Sequence, residues 1–140
     1  MKVCYTYGVF DLLHYGHIRQ LRAAKKLCDH LIVGVFTDEM ASSFKRTPVL
    51  SLCDRMEALN ALRCVDFVVP QDTFSPIKNL GAFKPDIVAK GEGAGWTNLA
   101  PPREVEIYCE LHHIKAIVLP RTDGISTSDI IKKIHAGNIK

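Results

Sequence analysis

Short apolar runs alternate with segments of helical periodicity along the whole chain. The runs are rich in valine, isoleucine and aromatic residues, which favour strands buried on both faces of a sheet. This alternation predicts a single α/β domain over residues 1–140, Rossmann-like and doubly wound, with a five-stranded parallel sheet and helices on both faces. The predicted strands lie at 3–7, 31–36, 66–70, 86–89 and 116–119, with Pro70 ending the third.

Helical spacing and capping residues place the connecting helices. Ser75-Pro76 is a typical start of a brief helix, with serine as N-cap and proline in the first turn. The polar stretch after the second strand allows a short helical segment that is broken before Pro48. The other predicted helices span residues 16–28, 54–62, 101–113 and 126–134.

Composition excludes several classes of protein. The hydrophobic fraction of 47% is enough for one core, and no run approaches the ~20 apolar residues of a membrane span. The net charge of +3 is spread along the chain, which argues against nucleic-acid binding. Five cysteines at irregular spacings, together with an N-terminus unlike a signal peptide, predict reduced thiols in a cytoplasmic protein without membrane insertion.

Polar segments follow four of the five predicted strands. A turn with two histidines follows the first, Lys45 and Arg46 follow the second, a glycine-rich loop begins at Gly91, and residues 121–127 follow the fifth. In open parallel sheets, ligands bind at the carboxyl ends of the strands, where the strand order reverses. We therefore expect these segments to meet at one site.

The turn after the first strand contains His14 and His17, which are three residues apart and lie on one side of a helical turn. A helix N-terminus has free amide groups and a positive dipole end, and Gly16 opens its backbone to a ligand. The pattern favours a phosphate site. Two alternatives remain for these histidines, namely ordinary surface or capping residues and a metal-binding pair.

Two common nucleotide motifs are missing, since neither G-x-G-x-x-G nor G-x-x-x-x-G-K-[ST] occurs. Arg55 and Arg63 are eight residues apart, so a helix through both places them on a similar side, as surface charges or as part of the same cleft. The remaining candidates for an anion site are His14, His17, Lys45, Arg46, Arg121, Ser126 and Thr127.

Two motifs give a specific resemblance that covers essentially the whole chain. The first is Tyr-Gly-x-Phe-Asp-Leu-Leu-His-Tyr-Gly-His at 7–17, and the second is Arg-Thr-Asp-Gly-Ile-Ser-Thr-Ser at 121–128. Together they closely resemble the cytidylyltransferase family of the nucleotidyltransferase superfamily, and within it the enzymes that act on glycerol 3-phosphate. The resemblance implies that an acceptor phosphate or phosphonate attacks the α-phosphorus of CTP and releases pyrophosphate, with no covalent enzyme intermediate.

The resemblance also implies roles for individual residues. His14, His17, Lys45, Arg46 and Arg121 would be catalytic, stabilising charge on the phosphates. Asp11, Arg55 and Arg63 would bind the acceptor, with Asp11 also near the metal or shaping the turn. Mg²⁺ or another divalent cation would be held mainly by the triphosphate, so no residue is assigned as its ligand. Nucleotide-binding residues would be Gly8, Val9, Phe10, Asp11, His14, Gly16, His17, Arg63, Gly91, Glu92, Arg121, Gly124, Ile125, Ser126 and Thr127.

The loop after the fourth strand departs from the glycerol-3-phosphate pattern, because Gly-Asp-Asp-Trp is replaced by a longer stretch ending at Trp96. The run Lys-Pro-Asp-Ile-Val-Ala-Lys-Gly at 84–91 also resembles the adenylyltransferase part of ADP-heptose synthesis. CTP with a glycerol 3-phosphate-like acceptor, or with another phosphate or phosphonate acceptor, is the main prediction. An ATP-dependent adenylyltransferase and a non-catalytic nucleotide-binding module are the alternatives, and the family analogy implies a homodimer.

Overall fold

In a computed structural model, which describes residues 1–91, 103–120, 122 and 124–137, the chain forms a three-layer α/β domain. Its five strands are all parallel, in the order β3-β2-β1-β4-β5. The predicted fold class is confirmed. The strands are β1 (Val3–Gly8), β2 (His30–Phe36), β3 (Phe67–Gln71), β4 (Ile87–Gly91) and β5 (Lys115–Leu119).

The described residues also form six helices. Their bounds differ from the predicted ones by a few residues. The helix predicted at 54–62 begins two residues earlier because Ser51 caps it, accepting a hydrogen bond from the Asp54 amide at 3.3 Å. The first helix ends at Lys25, before Cys28. The helices are α1 (Tyr15–Lys25), α2 (Asp38–Phe44), α3 (Leu52–Asn60), α4 (Ile77–Phe83), α5 (Glu104–Leu111) and α6 (Thr127–His135).

Each face of the sheet carries its own apolar core. Leu21 of α1 and Leu59 of α3 pack with Val33 on one face. Leu80 of α4 and Val105 of α5 pack on the other, in a cluster that also contains Tyr7. Because successive side chains of a strand point to opposite faces, the near-continuous apolar runs of β1 and β2 supply both cores.

The sequence predicted that Pro70 ends the third strand, but in the structure Pro70 lies inside β3. The strand continues to Gln71, whose carbonyl accepts a hydrogen bond from the Thr37 amide at 3.1 Å. Among the described strands, β3 is at the edge of the sheet and pairs with β2 alone. A proline is tolerated there because its missing N–H removes no bond to a second neighbour.

The strand order reverses at β1, since the chain moves from β1 to β2 and β3 on one side and later returns to β4 and β5 on the other. This reversal opens a crevice at the carboxyl ends of β1 and β4. No disulfide joins the five cysteines. None of the described helices has the length and apolar character needed to cross a membrane.

Candidate active site

A cavity of about 570 Å³ lies at the carboxyl ends of β1 and β4. The structure brings together there most of the residues that the sequence nominated, from four separate segments of the chain. Those lining it are Gly8, Val9, Phe10, Asp11, His14, Gly16, His17, Lys45, Arg46, Gly91, Ile125, Ser126 and Thr127.

The turn between β1 and α1 is built from strained backbone. Phe10 and Leu12 have φ angles of 54° and 50°, in the left-handed region that side chains other than glycine rarely adopt. Such residues cost on the order of 1–3 kcal/mol each and persist only where the surroundings hold them. Here the buried Phe10 ring, which packs edge-on against His17 at 5.6 Å, fixes the turn beneath the cavity.

The two histidines cap α1 with their own rings. His14 is the N-cap, and its Nδ1 accepts a hydrogen bond from the Gly16 amide at 3.1 Å. The Nδ1 of His17 accepts from the His14 amide at 3.3 Å, and the two rings stack with centroids 3.8 Å apart. An Nδ1 that accepts carries no proton in the neutral ring, so the proton lies on Nε2. Each ring therefore has one Nε2–H donor for a ligand.

Both histidines are held in the neutral form. Burial lowers the pKa of His17 to about 4, with further lowering by His14 and Lys45 and partial opposition by Asp11. Burial also lowers the pKa of His14. At neutral pH the pair supplies two directed hydrogen-bond donors and no net charge, so positive charge in the cavity comes from other groups.

Asp11 ties three segments together. Its buried carboxylate accepts hydrogen bonds from the amides of Val49 at 2.7 Å and Leu50 at 3.0 Å, and Arg46 approaches it at 3.6 Å. Its carbonyl accepts from the Thr127 hydroxyl at 2.8 Å. These contacts agree with the predicted role of Asp11 in shaping the turn, and its contact with an acceptor or a metal stays a prediction.

The N-terminus of α6 meets that of α1 at the cavity. Ser126 caps α6 by accepting from the Asp129 amide at 3.1 Å. A Cβ on Gly16 would lie 3.0 Å from the His14 ring and 3.1 Å from Ile125, so any larger residue would push the His14 ring or Ile125 aside by a few tenths of an ångström. Gly124 lies outside the main cavity, at φ 82°, where it forms the turn before α6.

Arg55 and Arg63 are not placed in the cavity. Arg55 is fully buried and donates hydrogen bonds to the carbonyls of Val9, Phe36 and Leu50 and to the carboxylate of Asp38. Four of its five N–H donors are used in this way, so Arg55 joins the ends of β1 and β2 and lies outside the described lining of the cavity.

Arg63 follows the end of α3 and precedes β3, at the amino ends of the strands, where it is exposed. The sequence expectation that both arginines share one side was wrong because α3 ends at Asn60 and the chain then leaves the helical path.

Several cavity residues were not nominated from the sequence, among them Tyr7, Gln20, Lys90, Thr122 and Ser128. Lys90 was visible within the run at 84–91, but its inward position is set by the pairing of β4 with β1. Arg121 and Glu92, which the sequence nominated for phosphate and base contacts, lie outside the described residues.

Asp11 is the one carboxylate among the described lining residues, and the described parts of the chain contain no cluster of three or more histidine, cysteine or acidic side chains. The described side chains therefore do not form a metal-binding site by themselves. Hard cations such as Mg²⁺ prefer oxygen ligands, and a bound triphosphate supplies several.

A family model described as cytidylyltransferase-like matches residues 5–133. Among curated proteins, the bifunctional protein HldE of Helicobacter pylori (strain ATCC 700392 / 26695) is 41% identical over 138 residues, which cover 95% of this chain and 28% of that protein. HldE of Erwinia tasmaniensis is 39% identical over 141 residues, covering 99% of this chain and 29% of HldE. The chain thus spans less than a third of the length of these relatives.

Solved structures share the fold. A lipopolysaccharide core biosynthesis protein from Thermoplasma volcanium GSS1 has a TM-score of 0.78 and 27% identity, covering 88% of this chain and 99% of that one. Pantoate-beta-alanine ligase from Francisella tularensis has a TM-score of 0.64 and 16% identity, covering 99% of this chain and 70% of the ligase, which is a likeness of fold alone.

Proposed function

The chain belongs to the cytidylyltransferase-like family of nucleotidyltransferase enzymes, and we propose that it is an adenylyltransferase that transfers AMP from ATP to a sugar phosphate. The observation that carries the proposal is the pair of neutral, backbone-fixed Nε2–H donors of His14 and His17 beside the N-terminus of α6. Preorganised donors of this kind stabilise charge that develops on phosphate oxygens during transfer.

The proposed reaction needs no covalent intermediate. An oxygen of the acceptor phosphate attacks the α-phosphorus of ATP, the bond from that phosphorus to the oxygen bridging to the β-phosphorus breaks, and pyrophosphate leaves with the electron pair. A phosphate monoester is largely ionised at neutral pH, since its second pKa is about 6, so the attack requires no protein base. Catalysis then consists of positioning and charge stabilisation.

The cavity offers distinct groups for the leaving pyrophosphate. The amides at the start of α6, with Ser126 and Thr127, suit the β- and γ-phosphates, because a helix N-terminus favours anions. Lys45 and Arg46 add positive charge from the segment after α2. Arg121, outside the described residues, stays a predicted member of this group.

Mg²⁺ is part of the proposal as a partner of the triphosphate. When bound, it would neutralise phosphate charge and polarise the reacting phosphorus. The residues present fit this arrangement, since the single described carboxylate of the lining is occupied by amides and by Arg46. Phosphate oxygens would then supply most of its ligands.

Two observations support ATP over CTP. The run at 84–91 resembles the adenylyltransferase part of ADP-heptose synthesis, and the curated relatives over nearly the whole chain carry the name HldE. A solved relative is named for lipopolysaccharide core biosynthesis, which supports a sugar phosphate as acceptor. CTP with glycerol 3-phosphate, the main prediction from the sequence, is the second candidate because of the motifs at 7–17 and 121–128.

Pyrophosphate release in the presence of Mg²⁺ tests the proposal. ATP, CTP, GTP and UTP are each combined with heptose 1-phosphate, glucose 1-phosphate and glycerol 3-phosphate. Release with ATP and a sugar 1-phosphate supports the proposal. Release with CTP and glycerol 3-phosphate alone would replace it with the second candidate, and nucleotide binding without release from any pair would favour a non-catalytic module.

A homodimer and a cytoplasmic location stay predictions. Exposed apolar side chains on the outer strand and its neighbouring helix, Val118 on β5 and Leu111 on α5, support self-association. Light scattering on the purified protein checks the dimer, for which a mass of twice 15.6 kDa is expected.

A further inference from the structure

A lysine is buried at the carboxyl end of β4. Lys90 is only 9% exposed, and its Nζ donates a hydrogen bond to the Tyr7 carbonyl at 2.6 Å. The same Nζ lies 4.2 Å from the centroid of the Tyr7 ring. Burying an ammonium costs free energy unless an acceptor or an opposite charge compensates it.

The described contacts of Lys90 offset the cost of burying its ammonium only in part. An ammonium has three N–H donors, and Lys90 uses one on a carbonyl and turns toward one aromatic face. Among the described residues, no carboxylate forms a salt bridge with Lys90 or with Lys45. The described lining of the cavity thus contains two lysine side chains whose protonated forms an incoming anion would pair.

Lys90 reaches the cavity from the opposite face of the sheet to the histidines. Tyr7 belongs to the core on the α4–α5 face, and Lys90 lies against its ring. α1, which contains His17 and is capped by His14, packs on the other face through Leu21 and Ala24. The N-terminus of α6 is joined to the α1 side through the Thr127–Asp11 bond.

Transfer at a phosphorus atom places the attacking and leaving oxygens roughly in line on opposite sides of it. If α1 and α6 bind the leaving pyrophosphate, the attacking oxygen comes from the other side of the cavity. We propose that Lys90 binds the phosphate of the acceptor and positions it for attack on the α-phosphorus. This inference rests on the proposed function and assigns the acceptor phosphate subsite within it.

A pH dependence follows from the burial. Desolvation, with a smaller contribution from Lys45, lowers the pKa of Lys90 to about 7. The free enzyme then loses the Lys90 charge as the pH rises above 7, and the acceptor KM should rise with it. Among the described residues, the other charged or titratable groups lining the cavity are Tyr7, Asp11, His14, His17, Lys45 and Arg46. Of these, Lys45 also has a lowered pKa, through desolvation and the nearby Arg46.

The test uses Lys90→Met, which keeps the length and apolar stem, with Lys45→Met as a matched loss of charge in the same cavity. Initial rates are measured with Mg²⁺, ATP and heptose 1-phosphate, or glycerol 3-phosphate with CTP if that pair is the one turned over. We expect Lys90→Met to raise the acceptor KM at least tenfold and to change the nucleotide KM less than twofold. Lys45→Met should raise the nucleotide KM instead.

A rise in the nucleotide KM alone, or no change in either KM, would overturn the assignment of Lys90. Absence of transfer by the wild-type protein with every pair would instead reject the proposed function. If Lys90→Met does not fold, the pH profile of Lys90→Arg decides. An acceptor KM that stays flat from pH 7 to 9 in Lys90→Arg but rises in the wild type supports the proposal, and equal rises in both overturn it.

Discussion

The two sides of the cavity are built by different means. The histidine side, formed by His14, His17 and the start of α6, is fixed by short-range bonds between rings, amides and a helix cap. The lysine side, formed by Lys45, Arg46 and Lys90, depends on contacts between segments far apart in sequence. The first offers neutral donors in set directions, and the second offers charge.

The two sides are therefore suited to different roles in the proposed reaction. Neutral donors at fixed positions favour the transition state, since they need no reorganisation as charge develops. Ammonium and guanidinium groups attract two anionic substrates into one cavity, which would otherwise repel each other. The following predictions separate the two sides, from the largest expected effect to the smallest.

Removing either ring from the histidine side should have the largest effect. We expect His14→Ala and His17→Ala each to lower kcat by about 10²–10³, the usual loss for one preorganised donor, with the fold intact. Steady-state kinetics at saturating substrates and a circular dichroism spectrum check both parts. His30→Ala, at the amino end of β2, is the matched control and should retain normal kcat. Near-normal turnover in both site variants would remove the histidines from the chemistry.

Arg55 stabilises the backbone on which the cavity is built, because it donates hydrogen bonds to the carbonyls of Val9 and Phe36 at the carboxyl ends of β1 and β2. Arg55→Met leaves these buried acceptors without donors, and we expect a loss of about 3 kcal/mol in the free energy of unfolding. Urea denaturation measures it. Arg63→Met, at an exposed position, should change stability by less than about 0.5 kcal/mol. Equal effects of the two substitutions would contradict the structural role of Arg55.

Asp11→Asn should weaken the contacts that hold Arg46 and residues 49 and 50 at the cavity, and it should leave the histidine caps of α1 in place. The amide keeps one oxygen acceptor but loses the charge facing Arg46 and one of the two bonds to residues 49 and 50. We expect about 2 kcal/mol of destabilisation and a several-fold higher nucleotide KM. Urea denaturation and initial rates give both values. A fall in kcat with the nucleotide KM unchanged would show that Asp11 acts on the chemistry and not on this segment.

The buried His17 should also make the free energy of unfolding depend on pH. Because the pKa of His17 falls from 6.5 to about 4 on folding, the unfolded chain binds more protons between these values. The contribution of a neutral His17 is therefore complete above pH 6.5 and is lost as the pH falls through 4. Urea midpoints of the ligand-free protein should fall over this window more steeply than those of His17→Asn. Parallel curves would show that His17 has an ordinary pKa.

Local patterns predicted the fold and the histidine side well. The alternation of strands and helices depends on short-range periodicity, and His14 and His17 sit together because they occupy one helical turn. Helix ends were less predictable, as with Ser51, since a serine can cap a helix or merely precede it.

The roles of Arg55 and Lys90 could not be predicted because they depend on tertiary packing. Arg55 resembles any charged residue on an amphipathic helix until the strand ends that accept its hydrogen bonds are in place. Lys90 lies next to the last residue of an apolar strand, and only the pairing of β4 with β1 shows that it points at Tyr7. The same holds for Pro70, whose place inside a strand depends on β3 being at the edge.

The central claim is that an oxygen of the acceptor phosphate attacks the α-phosphorus of the nucleotide in this cavity. Phosphorus NMR of the protein with ATP, Mg²⁺ and heptose 1-phosphate tests it most directly, because it shows which phosphorus–oxygen bond breaks. The account predicts two mutually coupled diphosphate signals of an ADP-sugar and an equal amount of pyrophosphate. Formation of ADP with a doubly phosphorylated sugar would place the attack at the γ-phosphorus and contradict the account.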